Sequence, residues 1–340
     1  MPRARGPNQV VHQLRPPPRL PERPIAIVKL EEVDQQLQSP LYDGTLLPDI
    51  RKIIFDYAMA EYVDPNALYP PNTEYTRPNF LGKKKVSINL LLMCKRSYLE
   101  TRHLPPVNKT HAFWHSRGPP DELYSDDELG YFNRFTLQQL AFVKEIHLFT
   151  QQWWLEDNFR YLWSVDALQG AIEKVKITLR RGDWWWNEHN AELAITPQRG
   201  DVRLMKEDWR REKAGEVVKW DPKSWGSTFL NFKALKELEM EFETYEYKEA
   251  ELDEIVRHAV MWKFPMVDEQ VLSCEEGLRG VKKSSWRGPP CGWYQCPKCA
   301  GQNEECKFCE EMERLIREEK GPMLTVRSLR WKLTDATDAK

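Results

Sequence analysis

Apolar residues along this chain follow two rhythms. Near the start they recur every three or four positions. Leu47, Ile50, Ile54 and Tyr57 form one stripe, widened by Ile53, and Ile88, Leu91, Leu92, Tyr98 and Leu99 form another, interrupted by Lys95. This spacing predicts amphipathic helices over 46–57 and 88–99. Pro48 suits a first helical turn, where its missing N–H would be unpaired anyway. Asp49 puts negative charge at the positive end of the helix dipole. Helices this short cannot hide such stripes alone, so they pack on each other, on the rest of the chain or on a partner. Residues 61–85, with Pro65, Pro70, Pro71 and Pro78, read as a polar loop.

Further on, the rhythm changes to alternation. Val143-x-x-Ile146-x-Leu148, Ile172-x-x-Val175-x-Ile177-x-Leu179, Leu235-x-x-Leu238-x-Met240-x-Phe242 and Val326-x-x-Leu329-x-Trp331-x-Leu333 each show the period of a half-buried strand. Four strands near 143–149, 174–180, 236–242 and 327–333 are predicted to share one sheet. Their apolar set faces inward, while His147, Lys176, Glu239 and Arg330 face the other way. Successive copies start 29, 63 and 91 residues apart, near multiples of about 30. The pattern is similar to that of leucine-rich repeats, and both diverged repeats and independent strands remain open. Helices are predicted over 152–173 and 250–264. Residues 182–223 read as an insertion in which 207–213 form a solvated helix, and 116–127 read as a loop. The expected class is therefore α+β or α/β: a helical module over 40–116, then a strand–helix domain over 128–280 and 322–334.

Composition narrows the partners. The chain has 340 residues, a net charge of −2, 41% hydrophobic residues and 11% aromatic ones, which suffices for a folded core. So small a net charge argues against broad attraction to nucleic acid. Fourteen tryptophans stand out. Trp153, Trp154 and Trp163 read as core, whereas Trp184, Trp185 and Trp186 read equally as core or as a binding loop. Seven prolines and five arginines fall in residues 1–24, so 1–39 read as a disordered basic tail, and 335–340 as another. No stretch is apolar enough to span a bilayer or to act as a signal peptide, so the expected location is cytoplasmic or nuclear.

In a reducing compartment the cysteines are not a disulfide framework. Cys296-x-x-Cys299 and Cys306-x-x-Cys309 are two C-x-x-C pairs six residues apart, and each pair can present two thiolates from a tight turn. Together they suit one structural zinc ion held by four sulfurs, within a cysteine-rich insertion and helix over 288–320. Cys291 could replace a ligand. Reduced surface thiols, an iron–sulfur centre and a redox-active pair are the other readings of the same residues. Cys94 and Cys274 read as core thiols. His111 and His115 stand four residues apart, as a two-imidazole metal site on a helix would, but Pro105, Pro106 and Pro119 argue for a loop.

Leu47-Pro48-Asp49-Ile50-Arg51-Lys52-Ile53-Ile54-Phe55 and Leu91-Leu92-Met93-Cys94-Lys95-Arg96-Ser97-Tyr98 together resemble the two ends of an F-box. They are closest in form to the F-box-like domains of filamentous-fungal proteins, and Arg51, Tyr57, Ala58 and Glu100 match that variant. The likeness covers roughly 40–116, with a longer connection between its halves than an ordinary F-box has. It implies a non-catalytic adaptor that docks a Skp-type protein, and through it a cullin complex, by way of Leu47, Pro48, Ile50, Ile53, Ile54, Leu91, Leu92 and Cys94. The remaining domain would hold a target protein for ubiquitin transfer. G-x-G-x-x-G, G-x-x-x-x-G-K-S/T, G-x-S-x-G and H-E-x-x-H are absent from the sequence, so no enzyme is expected. The alternative is a zinc-containing interaction or nucleic-acid-binding protein without adaptor binding. Lys282, Lys283, Arg287, Trp286 and Trp293 favour that alternative, and Glu304, Glu305, Glu310 and Glu311 oppose it.

Overall fold

The computed structural model describes residues 29–120, 131–132, 135–161, 166–187, 190–216, 218–289, 307–318 and 320–335. Its architecture is mixed α+β. First come α1 (Pro48–Ala58), a hairpin of β1 (Glu61–Leu68) and β2 (Gly82–Val86), a 3-10 turn over Asn89–Leu92, α2 (Lys95–Thr101) and α3 (Leu104–Asn108). An eight-stranded sheet follows, made of β3 (His111–Trp114), β4 (Glu145–Phe149), β5 (Lys174–Leu179), β6 (Glu237–Tyr245), β7 (Phe264–Pro265), β8 (Gln270–Ser273), β9 (Lys282–Arg287) and β10 (Met323–Asp335). Between these strands lie α4 (Leu137–Leu140), α5 (Gln152–Asp157), α6 (Asp166–Gln169), α7 (Met205–Lys213), α8 (Glu249–Ala259) and α9 (Lys307–Arg317).

The alternating pattern sets the sheet's register. β3, β4, β5 and β6 lie side by side in chain order and run parallel. Ile146, Val175 and Leu238 stand opposite one another, as do Leu148, Ile177 and Met240, so the shared spacing places equivalent side chains in one row. The fourth copy departs from this order. β10 runs antiparallel to β6 and sets Leu329 beside Met240 and Trp331 beside Leu238. Alternation alone cannot reveal this reversal, because a period of two reads the same in both directions. Ile146, Leu148, Val175, Ile177, Leu179, Leu238, Met240, Phe242, Leu329 and Trp331 all enter the core. There they pack with Leu252, Ile255, Val256 and Ala259 of α8.

The opposite face is covered as well, so His147 is buried although it faces away from the apolar set. Residues 61–85 form the β1–β2 hairpin, and its tip lays Phe80 edge-on against Trp114, Phe149 and His147, at ring separations of 5.6, 4.9 and 5.5 Å. His147 is buried and bonded to Thr178 Oγ1 at 2.8 Å. Burial, together with Lys176 and Arg77 nearby, holds its pKa well below the ordinary histidine range. Beside it runs a ladder of ion pairs. Lys176 lies 3.0 Å from Glu239 and 2.7 Å from Glu241, Arg330 lies 3.2 Å from Glu239, and Arg77 lies 3.4 Å from Glu243. Charges on this face meet partners before they meet bulk water.

Other expectations also change. The stretch 88–99 is a 3-10 turn followed by a separate helix, because Cys94 adopts an extended backbone (φ −159°, ψ 166°) and caps α2. The single helix expected over 152–173 is instead α5, a 3-10 turn at Phe159–Tyr161 and α6. His111–Trp114, expected within the helical module, supply a strand of the large sheet, and β9 extends that sheet beyond residue 280. Residues 30–39, expected in the tail, carry a 3-10 turn and a buried Val33, and the Gln35 carbonyl accepts a hydrogen bond from Arg96. Trp153 is exposed, Trp154 and Trp184 are buried, and Trp163 lies outside the described residues.

One buried group leads to a pH prediction. His258 on α8 packs against Trp209 with ring centroids 4.0 Å apart and planes tilted by 31°, and both ring nitrogens lack hydrogen-bond partners. Burial lowers its pKa to about 4, against an ordinary value of 6.5. Below pH 6.5 the unfolded chain takes up a proton that the folded chain refuses. Stability therefore falls as pH drops from about 6.5 towards 4, by roughly 1–3 kcal/mol. In His258→Phe this part of the decline should vanish. Thermal unfolding of both proteins across that range checks it, and parallel curves would refute the assignment.

Candidate docking surface

Helix α1 begins at Pro48, with Leu47 in extended conformation before it and Asp49 in its first turn. Phe55 and Met59 point inward and form a small core with Tyr42 and Leu104, against which Leu90 and Leu91 also pack. α1, the 3-10 turn, α3 and the segment around Tyr42 thus share one small core, and α1 and the turn each spend only part of their apolar surface on it.

Polar contacts fix their relative position. Arg51 Nε donates to Glu100 at 3.0 Å, and Arg96 Nε donates to the other oxygen of that carboxylate at 3.1 Å. Both guanidinium groups lie over the Tyr42 ring, at 5.0 and 4.2 Å. The Tyr42 hydroxyl meets Ser97 Oγ at 2.7 Å. Arg51 and Glu100, two of the residues that carry the F-box-like resemblance, therefore join α1 to α2 across this small core. Such a pair is held between half-buried side chains, where water screens it less than at an open surface.

What remains outside is apolar. Leu47, Ile50, Ile53, Ile54 and Tyr57 form a continuous helical stripe that is 67, 44, 63, 40 and 86% exposed. Pro48 is also exposed. On the neighbouring turn, Ile88, Leu92 and Met93 are 51, 77 and 57% exposed. Leu91 is half-buried against the small core. Cys94 is half-buried, and its Sγ accepts the Ser97 N–H at 3.4 Å and caps α2. Tyr57, Ile88 and Met93 were not among the expected contacts, although the 3–4 spacing that flagged Leu47 and Ile50 also reaches Tyr57.

The other candidates are distributed differently. Cys296, Cys299 and Cys306 lie outside the described residues, as does the side chain of Cys309 on α9. Among the described residues no group of three or more His, Cys, Asp or Glu side chains is arranged to hold a metal ion. His111 and His115 sit in and just after a strand, not on one helical face. His111 bonds to the Tyr131 hydroxyl and the Pro106 carbonyl, both at 2.8 Å, and His115 stacks on Trp154 at 3.5 Å. No helix among the described residues is long and apolar enough to cross a membrane.

At the carboxyl ends of β3 and β5, where open α/β sheets often bind ligands, the charged residues hold one another. Asp183 accepts from Arg180 Nε at 2.7 Å and from Arg117 Nη2 at 2.6 Å. Burial alone would raise its pKa, but the two guanidinium groups keep it below the ordinary carboxylate range. A Cβ at Gly182 would stand 2.2 Å from Arg117 Nη1, so a larger residue there would push the arginine's end aside. This cluster ties loops together. No protein-family model matches the chain, nor does any curated protein or solved structure.

Proposed function

We propose that the chain is a non-catalytic F-box-like adaptor. In this reading its α1 stripe and the neighbouring turn dock a Skp-type protein of a cullin complex, and its sheet domain recruits a target protein. The observation that carries this reading is the exposure of four large apolar side chains on one face of α1, with exposed Leu47 just before it. Contiguous apolar surface left in water marks an interaction site far more often than scattered apolar residues do. Bringing a target close to a ubiquitin-transferring enzyme needs no chemistry from the recruiter, since it raises effective concentration alone. Cytoplasm or nucleus suits this role. Purified chain should capture a purified Skp-type adaptor at a ratio of about one to one by gel filtration. Absence of a complex at micromolar concentrations would overturn the proposal.

Cys296, Cys299, Cys306 and Cys309 belong to the same proposal as ligands of one structural zinc. β9 and β10 pair so that Arg287 faces Met323, and residues 288–322 therefore leave and rejoin the sheet at one place. A bound metal would cross-link a segment of this length. Elemental analysis should find about one zinc per chain, and replacing the four cysteines by serine should remove it. Zinc-free wild-type protein, purified without chelator, would count against the site.

A further inference from the structure

β9 differs from its neighbours in having one edge to spare. It pairs with β10 along Met323–Ser328, and among the described residues no strand pairs with its other edge. Lys282, Lys283, Ser284, Ser285 and Arg287 are exposed, and Trp286 is half-buried with its indole N–H donated to Glu243 at 3.2 Å. A strand edge of this kind presents backbone donors and acceptors that water alone satisfies, which makes it a template for another extended chain.

The end of that edge opens into a groove of about 890 Å³ between the β1–β2 loop and the root of the excursion. Arg77, Trp286, Arg287 and Lys320 line it together with Pro71 and Pro78, and among the described residues no carboxylate does. Arg77 is 6% exposed, and its Nη1 lacks a hydrogen-bond partner although Nη2 pairs with Glu241 and Glu243. The root itself is close-packed. Gly288 N–H donates to the Pro322 carbonyl at 2.9 Å, and a Cβ on Gly321 would lie 1.9 Å from the Gly288 oxygen. Arg287 and Lys320 therefore add positive charge at the end of a strand edge that carries Lys282 and Lys283, of which Lys283 also lies 3.8 Å from Asp253.

We infer that β9 and this groove bind an extended acidic peptide segment of the recruited protein by strand addition. Lysines on an edge strand deter pairing with like or neutral chains, and the same charges favour a strand with carboxylates at the facing positions. Backbone hydrogen bonds would supply affinity and the groove would supply selectivity. The inference rests on the reading that the sheet domain recruits a target, but not on adaptor docking at α1.

The test is fluorescence anisotropy on the full chain, without adaptor, using a labelled peptide of about eight alternating Glu and Val residues. The expected result is saturable binding, weakened about tenfold or more by Lys282→Glu with Lys283→Glu. N-methylation of alternate peptide residues should weaken it comparably, because it removes the donors that strand addition needs. The same peptide with Lys in place of Glu should not bind. Should the glutamate variant melt early, Lys282→Gln with Lys283→Gln takes its place. No binding of the acidic peptide by the full chain overturns the inference, as does binding indifferent to Lys282 and Lys283. Binding that depends on charge but survives N-methylation also overturns it, since that outcome is diffuse attraction. Adaptor capture is measured separately, so failure here leaves the docking proposal standing.

Discussion

Deleting residues 324–340 is expected to abolish cooperative unfolding of the whole sheet domain. β10 is a strand near the C-terminus that occupies an interior position. It pairs with β6 along Leu324–Lys332, and on its other edge with β9 along Met323–Ser328 and with β8 along Lys332–Asp335. Without it the parallel strands lose their antiparallel border, and β8 and β9 lose their partner. Trp331 leaves a stack with Trp262 at 6.0 Å and an edge contact with Phe264 at 5.6 Å. A milder variant, Trp331→Ala, should cost about 3–5 kcal/mol, which is roughly 6–20 °C in Tm for a domain of this size. Domain stabilities of about 5–15 kcal/mol leave little reserve beyond that. Scanning calorimetry checks both, and an unchanged transition after the deletion would refute the role given to β10.

Leu47→Asp combined with Ile50→Asp should remove adaptor binding without disturbing the fold. Both side chains are exposed and neither belongs to the Tyr42–Phe55–Met59–Leu104 core, so Tm should stay within the range of surface substitutions, about 0.5 kcal/mol. Buried apolar anchors at an interface are commonly worth about 2 kcal/mol or more each, so the pair should weaken capture at least 100-fold. Co-purification of the adaptor at the wild-type level would sink the proposed docking face. Gel filtration of the unbound chain supplies a control. If the wild type is a dimer and the variant a monomer, the stripe is covered by a second copy of the chain.

Sequence legibility followed the reach of each signal. The alternation in 143–148, 172–179 and 235–242 located three strands and their inward faces because side-chain direction is a local property of an extended backbone. The stripe on α1 was legible for the same reason, as was Pro48 at its start. The break at Cys94 was less so. The 3–4 spacing continues through residue 94, while the choice of a 3-10 turn and a sulfur cap reflects how Leu90 and Leu91 reach the small core.

The sequence by itself determined which residues of β4, β5, β6 and β10 face the core, where α1 begins, and that Leu47, Ile50, Ile53 and Ile54 share one stripe. Tertiary structure alone decided that β10 runs against its neighbours, that the proline-rich stretch 61–85 folds into a hairpin over the second face of the sheet, and that His147 is buried beneath Phe80. It also decided that Phe55 turns inward while Ile54 stays in water. The division has one physical cause. Periodicity records which side of an element is apolar, but the covering of that side depends on contacts between residues far apart in the chain. Arg51 with Glu100, Arg77 with Glu243 and Trp331 with Trp262 are such contacts, and no window of neighbouring residues contains them.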